Sequence, residues 1–153
     1  MPDLVLEAVR LVPSHESLLR DLFRELTSLG GAAQFHPHPL DDAAARRICC
    51  YEGQDLYYAL IVSGTIVAYG MLRGWDEGYD VPSLGIVVAP AYRGQGYGRS
   101  LMHFLHAAAK ARGARRIRLK VYPENSAAVA LYQSLGYVFG AREGGQLVGL
   151  LDL

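Results

Sequence analysis

The stretch from Ser83 to Val121 constrains the fold of this chain more than any other part of it. Ser83 to Val88 is a dense apolar run suited to a central strand, and Ala89-Pro90 ends it. Arg93-Gly94-Gln95-Gly96-Tyr97-Gly98 then leads directly into a helix, expected from about Gly96 to Arg112. Its inner face is Leu101, Phe104, Leu105 and Ala108, and Gly113 stops it. Arg116 to Val121 alternates strictly between charged and apolar residues, the pattern of a strand with one apolar face. Strand, helix, strand in that order makes a crossover, so these two strands lie parallel.

The flanking segments read as antiparallel. Leu4 to Leu11 is a first strand, and Pro13-Ser14 opens a helix striped by Leu18, Leu19, Leu22, Phe23, Leu26 and Leu29. Gly30-Gly31 stops that helix, and prolines 37 and 39 make Gln34 to Leu40 a loop. Asp41 or Asp42 caps a short second helix through Cys50. Tyr57 to Val62 and Thr65 to Leu72 flank Ser63-Gly64, a two-residue hairpin signal. Trp75 to Tyr79 is a polar turn. After the crossover, Asn125 starts a helix buried through Ala128, Leu131, Tyr132 and Leu135 and stopped by Gly136. Tyr137 to Ala141 and Gln146 to Leu151 close the chain as paired strands around Glu143-Gly144-Gly145. The fold class is therefore α/β or α+β, a largely antiparallel sheet with one parallel crossover. At 153 residues, the expectation is one domain over 1–153.

Composition excludes several functions. No apolar run nears the roughly 18 residues that span a bilayer. Met1-Pro2-Asp3-Leu4 lacks a signal peptide's basic start, so a cytoplasmic location is expected. The only cysteines, Cys49 and Cys50, are adjacent and read as buried helix residues rather than as a disulfide framework or a nucleophile. Fifteen Lys/Arg balance fifteen Asp/Glu, and Tyr92, Tyr97 and Tyr122 are too scattered for a stacking platform, which argues against nucleic acid. The distribution is uneven, however. Residues 1–80 carry twelve acids and six bases, whereas 93–120 carry eight bases and no acid. The second block suits a multiply charged anion or a solvated helix face, and the first suits a cationic partner. His36 and His38 lack the further ligands of a recognised metal spacing, so no metal is expected.

Alternating glycines at a helix start expose backbone N–H groups to a phosphate. The turn lacks the Lys-Ser/Thr of a nucleotide triphosphate loop, and its glycines at 94, 96 and 98 miss the dinucleotide spacing. Arg93-Gly94-Gln95-Gly96-Tyr97-Gly98, approached by Val88, Pro90 and Tyr92, instead resembles the Q/R-x-x-G-x-G/A motif of the GNAT superfamily of N-acetyltransferases. Asn125-Ser126-Ala127-Ala128-Val129-Ala130-Leu131-Tyr132 followed by Leu135-Gly136-Tyr137 is similar to that family's later N-x-x-A-x-x-L-Y-x-x-x-G-F/Y helix.

The resemblance implies a GNAT-like domain, a mixed, mostly antiparallel sheet with a splayed parallel strand pair flanked by helices. It implies acetyl-CoA as co-substrate and direct attack by an amine, on a small molecule or a peptide N-terminus, in a ternary complex. A non-catalytic acyl-CoA-binding module is the alternative, and dimers among similar proteins leave a homodimer open. In this reading Ile86, Val87 and Val88 line the pantetheine notch, an N–H of Val87 or Val88 polarising the thioester carbonyl. The N–H groups of Gly94, Gln95, Gly96, Tyr97, Gly98 and Arg99 hold the pyrophosphate, with Arg93 and Arg99 flanking the turn to add charge-assisted bonds. Asn125 caps its helix and contacts the pantetheine arm. Tyr132 is either core or the proton donor to the leaving thiolate. The base is open among acids upstream of the strand, Asp76, Glu77 and Asp80, with Asp80 first and Ser83 ordering a relay water.

Overall fold

The computed structural model of the chain describes residues 4–30 and 35–153. One seven-stranded sheet runs through it. In chain order the elements are β1 (Leu6–Arg10), a 3-10 turn (Pro13–His15), α1 (Glu16–Ser28), α2 (Asp42–Cys49), β2 (Leu56–Val62) and β3 (Thr65–Arg73). Then come β4 (Ser83–Val88), α3 (Tyr97–Ala111), β5 (Arg116–Val121), α4 (Ser126–Ser134), β6 (Val138–Glu143) and β7 (Gln146–Asp152). The strands lie in the order β1-β2-β3-β4-β5-β7-β6, and only β4 and β5 are parallel. This is the expected mixed sheet with a single parallel pair.

The expected hairpin forms because Ser63 and Gly64 both take positive φ, 47° and 80°, matching the twist of the strands they join. Asp41, not Asp42, caps α2, accepting from the Ala44 N–H at 2.8 Å. The acidic turn after β3 is pinned by Asp55, whose carboxylate accepts from the backbone N–H of Gly74 and Trp75. β1 is shorter than expected, and Leu4 and Val5 are exposed. Residues 1–3, and Gly31 and Gln34 in the expected helix stop and loop, lie outside the described residues.

Alternation along the strands divides the core into two layers. Tyr69, Met71 and Val87 point to the face covered by α1 and α2, packing with Leu19, Phe23 and Leu26. Ala68, Leu72, Leu84, Ile117 and Leu119 point to the face covered by α3, whose Leu101 and Leu105 are fully buried. Gly70 lets α3 come this close: a Cβ there would stand 2.8 Å from Leu105 Cδ1 and 3.1 Å from Leu101 Cδ2. Leu29, expected on the buried stripe of α1, is 66% exposed because it sits past the helix end. Of the vicinal cysteines only Cys49 is buried, its thiol pushed up to about 11 by desolvation; Cys50 is exposed.

The parallel pair is short. β4 and β5 share only the pairs Ser83↔Arg118 and Leu84↔Leu119. Beyond them β4 stays with β3 up to Ala68↔Val88, and β5 stays with β7 up to Val121↔Leu147. The two strands therefore splay, and a notch opens in the middle of the sheet.

Candidate active site

Backbone alternation fixes which groups face the notch. Ala89 N–H donates to the Val67 carbonyl on the β3 side, while the Pro82 carbonyl accepts from Arg118 N–H on the β5 side. N–H and C=O of Leu84, Ile86 and Val88 consequently turn toward β5, and those of Ser83, Gly85 and Val87 toward β3. Of the two N–H groups expected to meet a carbonyl oxygen, Val88 faces the notch. Val87 instead pairs across from Tyr69, its N–H turned away toward β3, although the residue lines the opening. The Val88 carbonyl accepts from Arg93 Nε at 3.1 Å.

A cleft of about 700 Å³ extends from the notch over the start of α3. Its floor is the turn after β4. Gly94 and Gly96 adopt φ of 74° and 88°, a region that costs other residues strain. A Cβ built on either meets no protein atom within 4 Å, so a side chain there would project into open space. Gly96 caps α3 without any side-chain bond, leaving the first-turn N–H groups uncapped. Tyr92 and Tyr97 meet edge-on, ring centroids 6.1 Å apart, and both line the cleft. Arg99 lies at the rim, where its Nη2 donates to Ser134 Oγ at 2.9 Å and ties α3 to α4. The Gln95 side chain is exposed, donates to the Ala91 carbonyl and lines neither cavity, so only its backbone is left to serve the turn.

The opposite wall is α4. Asn125 caps it, its side-chain oxygen accepting from Ala128 N–H at 3.3 Å, and also lines the cleft. Ala128 and Leu131, expected in the core, are half-buried because they form this wall. Tyr132 is 8% exposed, and burial pushes its hydroxyl up to about 12, so it stays protonated at any physiological pH. Tyr137 packs on Tyr132 with centroids 5.9 Å apart, and its hydroxyl shares a 2.8 Å hydrogen bond with His106 Nε2.

A second cavity of about 340 Å³ lies on the α1–α2 face of the sheet. Phe35, Ile86, Asn125 and Tyr132 line both cavities. Ser83 lines the second one, whereas Asp80 is exposed and lines neither. Sequence reasoning missed Phe35, Arg73, Lys120 and Tyr122 in these walls. The alternation of β5 already set Lys120 on the face opposite its apolar residues, but nothing in the sequence said that a cavity would open there beside β4.

The basic block is divided rather than pooled. Arg93 and Arg99 line the cleft, while Arg116 pairs with Asp152 and Arg118 and Lys120 share Glu143. Arg112 donates to the Gln54 carbonyl and lies over the Trp75 ring. The acid excess of residues 1–80 is not in the second cavity either, whose formally charged lining residues are Arg73 and Lys120. Among the described residues no three His, Cys, Asp or Glu side chains gather to hold a metal. Nor is any described helix long and apolar enough to cross a membrane.

Residues 17–137 match the profile of the Acetyltransferase (GNAT) family, more than half of the chain. The chain belongs to this family. As a GNAT protein it is 44% identical over 82 residues to the Escherichia coli [ribosomal protein bS18]-alanine N-acetyltransferase, a stretch covering 54% of each chain. It spans about half the length of the curated relatives it matches. The GNAT domain of S. lividans PAT superposes with a TM-score of 0.82 at 19% identity, covering 97% of this chain and 90% of that one. An N-acetyltransferase from Thermoplasma acidophilum, solved in complex with coenzyme A, superposes with a TM-score of 0.75 at 16% identity over 97% and 99% of the two chains.

Proposed function

We propose that this GNAT protein is an acetyl-CoA-dependent N-acetyltransferase that transfers its acetyl group directly to a primary amine, with both substrates bound at once. The observation that carries this reading is the position of Tyr132, which lines both cavities where they adjoin. The E. coli relative is named for N-acetylation of an alanine, and the T. acidophilum neighbour holds coenzyme A, both in keeping with it.

The larger cleft fits the coenzyme chemically. Uncapped N–H groups of α3 and the side-chain-free floor at Gly94 and Gly96 suit a pyrophosphate, with Arg93 and Arg99 adding positive charge. Val87, Ala128 and Leu131 offer an apolar wall to the arm, whose amides can pair with the notch-facing groups of Ile86 and Val88. When bound, acetyl-CoA supplies the acetyl group as an activated thioester.

The chain's own residues supply the rest. Val88 N–H donates to the oxygen on which negative charge gathers during transfer. Tyr132, still protonated, donates its proton to the departing sulfur and recovers one from solvent. Asn125 holds the start of α4 with its oxygen and offers its amide N–H groups to the bound arm. Asp80 stands outside both cavities, so the amine gives its protons to water, which Ser83 orders, rather than to a carboxylate.

A thiol-release assay with a panel of amines, beside calorimetric titration with coenzyme A, tests this reading. Release above the acceptor-free background with at least one amine is expected. Coenzyme A binding without amine-stimulated release would make the chain a non-catalytic acyl-CoA-binding module.

A further inference from the structure

The smaller cavity carries a charge that plain amine binding does not call for. Its walls hold Arg73 from β3 and Lys120 from β5, on either side of β4, and no carboxylate from any described residue. Arg73 Nη1 donates to the Pro37 carbonyl at 2.9 Å, and no described carboxylate forms an ion pair with its guanidinium. A guanidinium has five N–H donors, so others remain available to a ligand. Lys120 meets Glu143 at 2.9 Å, but Arg118 meets the same carboxylate oxygen at 2.9 Å. One carboxylate therefore answers two cations there, and Arg73 adds a third. Ser83, Tyr122 and Gln146 line the same walls with neutral hydrogen-bonding groups.

An ammonium ion would be repelled here, whereas a carboxylate would gain charge-assisted hydrogen bonds. We infer that the acetyl acceptor is an amine that also carries a carboxylate, an α-amino acid being the simplest case, with Arg73 and Lys120 holding the carboxylate. This rests on the N-acetyltransferase reading and narrows its acceptor. The same two cations serve the chemistry. Like charge nearby lowers the pKa of an ammonium, so the amine loses its proton to water more readily before attack. The neutral nitrogen's lone pair then forms the bond to the acetyl carbon as the carbon–sulfur bond breaks. The nitrogen gives a second proton to water as the amide forms, while the sulfur leaves with the electron pair and takes the Tyr132 proton, which Tyr132 recovers from solvent. A cavity lined by cations thus compensates for the missing carboxylate base.

The test compares kcat/KM for a set of α-amino acids with that for their carboxamides, at saturating acetyl-CoA. Carboxamides are weaker bases and present more free amine at a given pH, so any preference for the acid comes from the site. The acid form should be favoured by roughly 10-fold or more, the scale of a hydrogen bond to a charged group. Lys120→Gln and Arg73→Gln should each pull that ratio toward unity. Lys120 is half-exposed on its strand, so its variant remains informative if the Arg73 variant does not fold. Amides transferred as well as acids, or a ratio unmoved in Lys120→Gln, would overturn the inference while leaving acetyl transfer intact. Bound coenzyme A with no release to any amine would instead remove the function on which it rests.

Discussion

Gly96 caps α3 at φ 88° and keeps the cleft floor free of a side chain. Gly96→Val therefore meets two separate penalties. The backbone strain costs about 1–3 kcal/mol, a lower melting temperature in a chain that still folds. The branched side chain projects into the cleft, so coenzyme A affinity should fall by more than about tenfold, the scale of one lost charged hydrogen bond. Unchanged calorimetric affinity in a folded variant would contradict the site. Asn125 can be divided in the same way. Asn125→Ala loses the cap on α4, about 1 kcal/mol, whereas Asn125→Ser keeps an oxygen acceptor for Ala128 N–H. The Ser variant should regain most of the melting temperature and still bind coenzyme A more weakly. Recovery of both would assign Asn125 to the cap alone.

An imidazole and a guanidinium tie the segment between α1 and α2 to the sheet, Arg73 donating to the Pro37 carbonyl and His38 meeting Tyr69. His38 Nε2 bonds the Tyr69 hydroxyl at 2.9 Å, and its Nδ1 bonds the Pro39 carbonyl at 2.6 Å. Burial holds its pKa below the ordinary 6.5, and burial does the same to His106 against Tyr137. Each is neutral when folded, while the unfolded chain takes up protons below about 6.5. Stability is therefore full above that pH and is lost as pH falls through the depressed folded values. Melting temperature should drop between pH 7.5 and 5.5, and His38→Gln should flatten the drop; an equally steep profile in that variant would contradict the assignment. Local patterns reached some elements and not others. The bounds of β4 and β5, Ser83 to Val88 and Arg116 to Val121, were legible because an apolar run and a strict alternation each declare themselves within six residues. On α4, Ala128 and Leu131 looked like core, because apolar residues that line a cleft and apolar residues that fill a core share one helical spacing. Only the Asn and Tyr of the same helix, matched to a family motif, pointed to a site.

Across the whole molecule, charge sums over stretches of sequence did not predict charge at a cavity wall. The acids of residues 1–80 are dispersed into a helix cap (Asp41), an ion pair with Arg24 (Asp42) and a turn (Asp55), while Arg73 and Lys120 reach one cavity from strands on either side of β4. That juxtaposition exists only once the sheet is assembled. The splay of β4 from β5 is likewise a property of the assembled sheet: it opens the notch, turns Ile86 and Val88 into it, and brings two cavities to Tyr132. The central claim is that Tyr132 delivers a proton at that junction. Tyr132→Phe keeps the ring and its packing on Tyr137 and removes only the hydroxyl, so the melting temperature should barely move. Steady-state kinetics on this variant, with coenzyme A affinity measured beside them, is the direct test. The account predicts that kcat falls by roughly 10²–10⁴-fold while the coenzyme dissociation constant holds. Near-full turnover in a stably folded Phe variant would contradict it and return Tyr132 to the core.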